Sequence, residues 1–118
     1  AAIVAATREK FPNKEITIVF QPHLYSRTKL LLNDFVKVLA EADYIIVTDI
    51  YAARELNDKS ISAKHLVEKI STLNKNVFHI TLFKDIVSTL SKSKGEKDVI
   101  VTLGAGDIYK VSENLIAL

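Results

Sequence analysis

The 118-residue sequence predicts a three-layer α/β/α domain built on a doubly wound, mostly parallel sheet. Three observations point there. Short β-branched runs recur along the chain, each followed by a longer stretch with apolar residues at helical spacing. The runs are apolar along their length rather than alternating, as in strands covered on both faces. The strict strand–helix alternation implies parallel pairing through helical crossovers. A chain of this length fits one domain, and it contains no internal repeat, low-complexity tract or linker.

The elements follow in order. Ile3, Val4 and Phe11 share one helical face, with no capping residue ahead of them. Residues 16–20 form the first strand. Residues 27–40 read as one helix with Leu31, Leu32, Phe35, Val36 and Leu39 on a stripe. Residues 44–48 make the second strand, and 49–60 a polar loop. A helix over 62–73 turns Leu66, Val67 and Ile70 inward. A third strand at 76–80 and a helix over 83–91, carrying Ile86, Val87 and Leu90, come next. Gly95 marks a turn, 99–103 is the fourth strand, and 107–118 the last helix, with Val111 and Leu115 inward.

Composition narrows the function classes. A formal charge of +2, with Lys and Arg dispersed, argues against nucleic acid and against a polybasic membrane segment. There is no cysteine, so disulfides, thiol catalysis and cysteine-based zinc sites are excluded. No apolar run approaches the ~20 residues of a membrane span. The first ten residues lack the pattern of a signal peptide, which makes the cytoplasm the default location. The absence of methionine, even at position 1, and a start inside a helix lead us to expect a fragment of a longer protein.

Parallel α/β sheets place ligands beyond the carboxyl ends of their strands. That rule selects residues 21–28, 49–55 and 104–107. In the first, Arg27 and Lys29 sit in or beside a helix's first turn, where the dipole disfavours cations. Two explanations are open for Arg27: a bidentate grip on a carboxylate or phosphate, or a solvated guanidinium. His23 suits a donor or general base, though a lone loop histidine is more often neither. The second segment gathers Asp49, Tyr51, Arg54 and Glu55, either against a polar substrate or as a solvated loop with a local Arg–Glu pair. In the third, Gly104 and Gly106 permit close backbone approach, and Asp107 suits a helix N-cap. Tyr109 stands where a dinucleotide fingerprint needs its third glycine, and no G-x-x-x-x-G-K-[ST] loop occurs. His65 and His79 read as structural.

Beyond these patterns, Phe20-Gln21-Pro22-His23 with Tyr25-Ser26-Arg27-Thr28 resembles a signature of the Mur ligases that join L-alanine to UDP-N-acetylmuramate. The run Asp49-Ile50-Tyr51-Ala52-Ala53-Arg54-Glu55 looks like their second C-terminal signature, and Thr102-Leu103-Gly104-Ala105-Gly106-Asp107-Ile108 like the third. The three occur in order over essentially the whole chain. The resemblance implies a Rossmann-like C-terminal domain, 1–118, with the UDP-sugar domain and the central ATP-binding domain absent. It implies an ATP- and magnesium-dependent full enzyme that forms an acyl phosphate on UDP-N-acetylmuramate, which the amine of L-alanine attacks. The C-terminal domain would close over ATP and help bind the amino acid. Arg27 would hold the alanine carboxylate and His23 would orient the nucleophile or steady developing charge. Tyr51 and Glu55 would lie across the cleft and Gly104, Gly106 and Asp107 would form its floor. Ser26 and Asp49 complete the implied substrate-binding set, in which no residue is catalytic and none binds metal.

Two departures from the family pattern stand out. Leu24 occupies a position that is arginine in many members, and Ala52-Ala53-Arg54 replaces a Pro-Ala-Gly found in others. The fragment alone is expected to bind no cofactor and to be inactive. Rival readings are a receiver-like phosphoacceptor, which would need acidic residues where Gln21 and Pro22 stand, and a stand-alone nucleotide-binding module.

Overall fold

A computed structural model describes residues 2–93, 98–104, 108, 110 and 111. The chain runs α1 (Ala2–Lys10), β1 (Glu15–Gln21), α2 (Tyr25–Leu30), α3 (Leu32–Leu39), β2 (Tyr44–Val47), α4 (Ala63–Ser71), β3 (Val77–His79), α5 (Phe83–Ser93) and β4 (Asp98–Gly104). The four-stranded sheet has the order β3-β2-β1-β4, and every pairing is parallel. The expected doubly wound sheet is therefore present. The chain steps from β1 outward to β2 and β3, then returns to place β4 on the other side of β1. The order reverses between β1 and β4, which makes the crevice beyond their carboxyl ends the natural ligand position.

The strands are buried because both sheet faces are covered. Ile16, Ile18 and Phe20 point to one face, where they pack with Val4 of α1, Val36 and Leu39 of α3, and Leu66 and Ile70 of α4. Val19 and Ile46 point to the other, packing with Ile86 and Leu90 of α5 and with Ile108 and Val111. Alternate residues of one strand thus serve two cores, the period-2 geometry of a pleated strand. The pairing register, Thr17 opposite Tyr44 and Thr17 opposite Ile100, keeps these two sets aligned across the sheet.

The expected single helix over 27–40 is instead two. It begins at Tyr25, and Leu31, at φ −102° and ψ 15°, leaves helical geometry between α2 and α3. Hydrogen bonds flank the break, from the Leu31 N–H to Arg27 and from the Phe35 N–H to Leu31, both 3.0 Å. The early start has a non-local cause, described below. The expected helix over 107–118 and the turn at Gly95 lie largely outside the described residues, where only 110 and 111 are helical. Among the described residues no helix is long and apolar enough to cross a membrane.

Leu66 is fully buried whereas Leu56 is 91% exposed. Leu66→Ala is expected to cost about 3 kcal/mol from transfer and cavity terms together. Leu56→Ala should stay within about 0.5 kcal/mol. Urea unfolding midpoints of the two variants check both values.

Candidate functional site

The parallel ladder does not stop where β1 and β2 end. The Tyr51 N–H donates to the Pro22 carbonyl at 2.7 Å, and the Leu24 N–H donates to the Tyr51 carbonyl at 2.8 Å. These bonds create a parallel bridge between His23 and Tyr51. They set the two rings with centroids 5.9 Å apart and planes tilted by 32°. Pro22 fits here because only its carbonyl is used in this step of the ladder.

The chain then turns sharply into α2. Leu24 sits at φ 64° and ψ 139°, a conformation that costs a non-glycine residue about 1–3 kcal/mol. Several bonds hold it there. Besides its N–H bond to Tyr51, its carbonyl accepts the Thr28 N–H at 3.1 Å and the Thr28 hydroxyl at 2.7 Å. Thr28 is fully buried, so these bonds are shielded from water.

On the other side of β1, register pairs Gln21 with Gly104. Gly104 has φ +155°, and a Cβ there would lie 2.9 Å from the Gln21 carbonyl oxygen and 3.0 Å from the Gln21 Cβ. The absence of a side chain lets β4 close against the end of β1.

Together these features shape a cavity of about 350 Å³ lined by Phe20, Gln21, His23, Arg27, Phe35 and Gly104. Its apolar part is a tilted aromatic pair, Phe20 and Phe35, with centroids 5.1 Å apart. Its polar lining residues are Arg27, His23 and Gln21. The Arg27 side chain is exposed and makes no hydrogen bond or ion pair with the described residues. Gln21 was not singled out from the sequence, yet it is 7% exposed and its Oε1 is buried without a partner among the described residues. Such an orphaned acceptor costs about 1–3 kcal/mol. The signal available in the sequence was one polar residue extending an apolar strand, at the strand's carboxyl end.

The remaining candidates divide between two neighbouring places. Glu55 accepts hydrogen bonds from the Ser26 N–H at 3.2 Å and from the Ser26 hydroxyl. The hydroxyl bond is the main reason its carboxyl is held below the usual glutamate value, with the N–H groups of Ser26 and Tyr25 adding to it. Glu55 thus caps α2 from a distant loop, which explains the early helix start, since Leu24 provides no side-chain cap. A turn with Ala53 at φ 53° and a 2.9 Å bond from the Glu55 N–H to Ala52 delivers it. The local Arg54–Glu55 alternative is replaced by this contact.

Lys29 is likewise explained without a ligand, reaching the Ser60 hydroxyl at 2.9 Å and Asp58 at 3.8 Å. Asp58 is held below its usual value chiefly by the Ser60 hydroxyl. Because α2 has only six residues, Arg27 belongs to its last turn as much as its first. The dipole argument for Arg27 therefore loses its force, and the cavity takes its place. Asp49 faces away, with its Oδ1 against His79 Nε2 and 3.5 Å from the Thr81 hydroxyl. It lines a separate polar hollow with Tyr25, Asn57, Lys59 and Ser62.

The structure therefore gathers His23, Arg27 and Gly104 at one cavity, with Tyr51 against His23. It joins Ser26 to Glu55 and sets Asp49 apart with His79. Gly106 and Asp107 lie outside the described residues. Among the described residues no group of three His, Cys, Asp or Glu side chains is placed to hold a metal ion.

Residues 1–106 match the family described as Mur ligase, glutamate ligase domain. A UDP-N-acetylmuramate–L-alanine ligase of Lachnospira eligens is 47% identical over 106 residues, covering 90% of this chain and 23% of that protein. One from Caldanaerobacter subterraneus subsp. tengcongensis is 46% identical over 108 residues, covering 92% and 24%. The chain thus spans about a quarter of the length of these relatives. A crystal structure of a Haemophilus ducreyi domain, described as coming from a UDP-N-acetylmuramate:L-alanyl-gamma-D-glutamyl-diaminopimelate ligase, superposes with a TM-score of 0.64. It is 14% identical, covers 98% of this chain and 77% of its own, and speaks to the fold alone.

Two outcomes follow from the geometry. Gly104→Ala should destabilise the domain by about 1–3 kcal/mol, because the nearest obstacles include backbone of a buried strand. Thermal unfolding measures this. Glu55 has a depressed folded-state pKa, so its stabilising contribution is present above the unfolded value of about 4.3 and is lost as pH falls through the lower folded value. Glu55→Gln should therefore flatten the acid limb of stability against pH, read from denaturation midpoints at successively lower pH.

Proposed function

Because this chain belongs to the Mur ligase family through its glutamate ligase domain, we propose that it is the amino-acid-binding domain of an ATP-dependent ligase joining L-alanine to UDP-N-acetylmuramate. The observation that carries this reading is the cavity at the β1–β4 switch point, lined by His23 and by an Arg27 that has no partner among the described residues, with Tyr51 against His23. Arg27 offers a bidentate fork to the alanine carboxylate. Phe20 and Phe35 suit a small apolar side chain, and His23 lies where it can steady charge that develops during attack.

In this reaction ATP phosphorylates the sugar carboxylate, and the alanine amine attacks the acyl phosphate to give a tetrahedral intermediate that expels phosphate. The chain's own part is positioning. Holding the amino acid in an attack geometry removes translational and rotational freedom before the chemistry begins. By the family resemblance, ATP and magnesium would be held by the central domain of the full ligase. The work of this domain is to close over that site, as expected of a cytoplasmic enzyme of peptidoglycan synthesis.

Arg27→Ala in the full ligase is expected to raise KM for L-alanine by about 10- to 100-fold, the loss of a charged hydrogen-bonded contact. Its fold should be unaffected, because the side chain is exposed. Steady-state kinetics with varied L-alanine, beside circular dichroism, make the test. An unchanged KM refutes the assignment.

A further inference from the structure

The family resemblance implied that Tyr51 touches the substrate, yet the residues lining the cavity include His23 and not Tyr51. We propose that Tyr51 is the positioning residue for His23, its ring restraining the imidazole in the pose used at the site. This rests on the reading of the cavity as the amino-acid site.

The backbone alone does not fix an imidazole. The bridge between the two residues uses the Tyr51 N–H and carbonyl, which any residue but proline supplies. It sets the direction of the Cα–Cβ bonds and leaves the side-chain torsions of His23 open. Hydrogen bonds orient the other two histidines. His65 Nδ1 lies 3.0 Å from the Ser62 hydroxyl, and His79 Nε2 meets Asp49. The His23 ring makes no hydrogen bond to the described residues, and its ring neighbour is Tyr51, with centroids 5.9 Å apart and planes tilted by 32°. That separation lies within the range of attractive aromatic pairs.

The kind of neighbour matters to the chemistry. A carboxylate or hydroxyl that orients a histidine occupies one ring nitrogen and fixes the tautomer. A neighbouring ring restrains the imidazole and occupies neither nitrogen. Both nitrogens of His23 then remain available to the substrate, to donate to developing negative charge or to accept from the amine. Core packing does not account for the aromatic residue at position 51. Tyr51 is 42% exposed and belongs to neither apolar cluster.

The experiment is a double-mutant cycle in the full ligase, with L-alanine varied at saturating ATP and UDP-N-acetylmuramate. Tyr51→Ala keeps the backbone bridge and removes the ring. It should lower kcat about 2- to 10-fold, the size of one aromatic contact. KM for L-alanine should stay within about twofold, because Arg27 is untouched. Tyr51→Phe retains the ring and should restore kcat. In a His23→Ala background, Tyr51→Ala should have no further effect, because no imidazole is left to position. Effects that multiply across the two positions overturn the proposal, since Tyr51 then acts without His23. A loss that Tyr51→Phe does not restore overturns it too, since the phenol rather than the ring is then at work. So does a wild-type kcat in Tyr51→Ala. Should the alanine variant fold poorly by circular dichroism, Tyr51→Leu supplies bulk without a ring for the same cycle. His23→Ala separates this role from the reading of the site. If it lowers kcat while the effect of Tyr51→Ala is independent of it, His23 stays at the site and the role of Tyr51 falls. If His23→Ala changes neither kcat nor KM, the reading of the cavity falls with it.

Discussion

Two backbone hydrogen bonds beyond the end of the sheet govern the site: Tyr51 to Pro22 and Leu24 to Tyr51. They extend a parallel pairing into what would otherwise be independent loops. Without them the bridge between His23 and Tyr51 would be lost, and Leu24 at positive φ would be held through its carbonyl alone. The turn at Leu24 then aims α2, and α2 places Arg27 on the cavity. Strain at a functional loop persists when surrounding contacts over-determine it, and here bonds at the Leu24 N–H and carbonyl do so.

The opposite wall depends on a different constraint, the close approach of β4 to the end of β1. A topological switch point opens a crevice, but the crevice is shaped only if the flanking strand comes near enough. Gly104 allows that approach. The result is a buried amide oxygen left unsatisfied by the described residues, a stability cost at a position where an apolar residue would have been cheaper. Proteins accept such local conflicts chiefly at functional sites.

Much of the fold was legible because burial on two faces leaves an unmistakable pattern. The runs at Ile16–Phe20, Tyr44–Val47 and Val99–Leu103 have no polar alternation, and each is a parallel strand. Helical stripes such as Leu66 and Ile70 were equally plain. The start of α2 was not, since its capping carboxylate comes from Glu55 in another loop, and local scanning finds only caps nearby in sequence. For the same reason Arg27 was first noticed through a dipole argument that does not survive in a six-residue helix. Asp49 was grouped with Tyr51 and Glu55 because they are neighbours in the chain, but successive loop residues diverge, and Asp49 meets His79 at the end of β3. Gln21 escaped notice because a glutamine at a strand end is ordinary until its burial and its lack of partners are known.

Among the described residues β3 ends the sheet on the β2 side; it is only three residues long, and it carries Phe78 at 52% exposure. An aromatic side chain on an open margin usually invites another chain to add itself alongside. Here such a recruit would find few backbone groups to grip, too few for a lasting fibrillar seed. Brevity limits how many ladder bonds such a margin can offer to a neighbouring molecule.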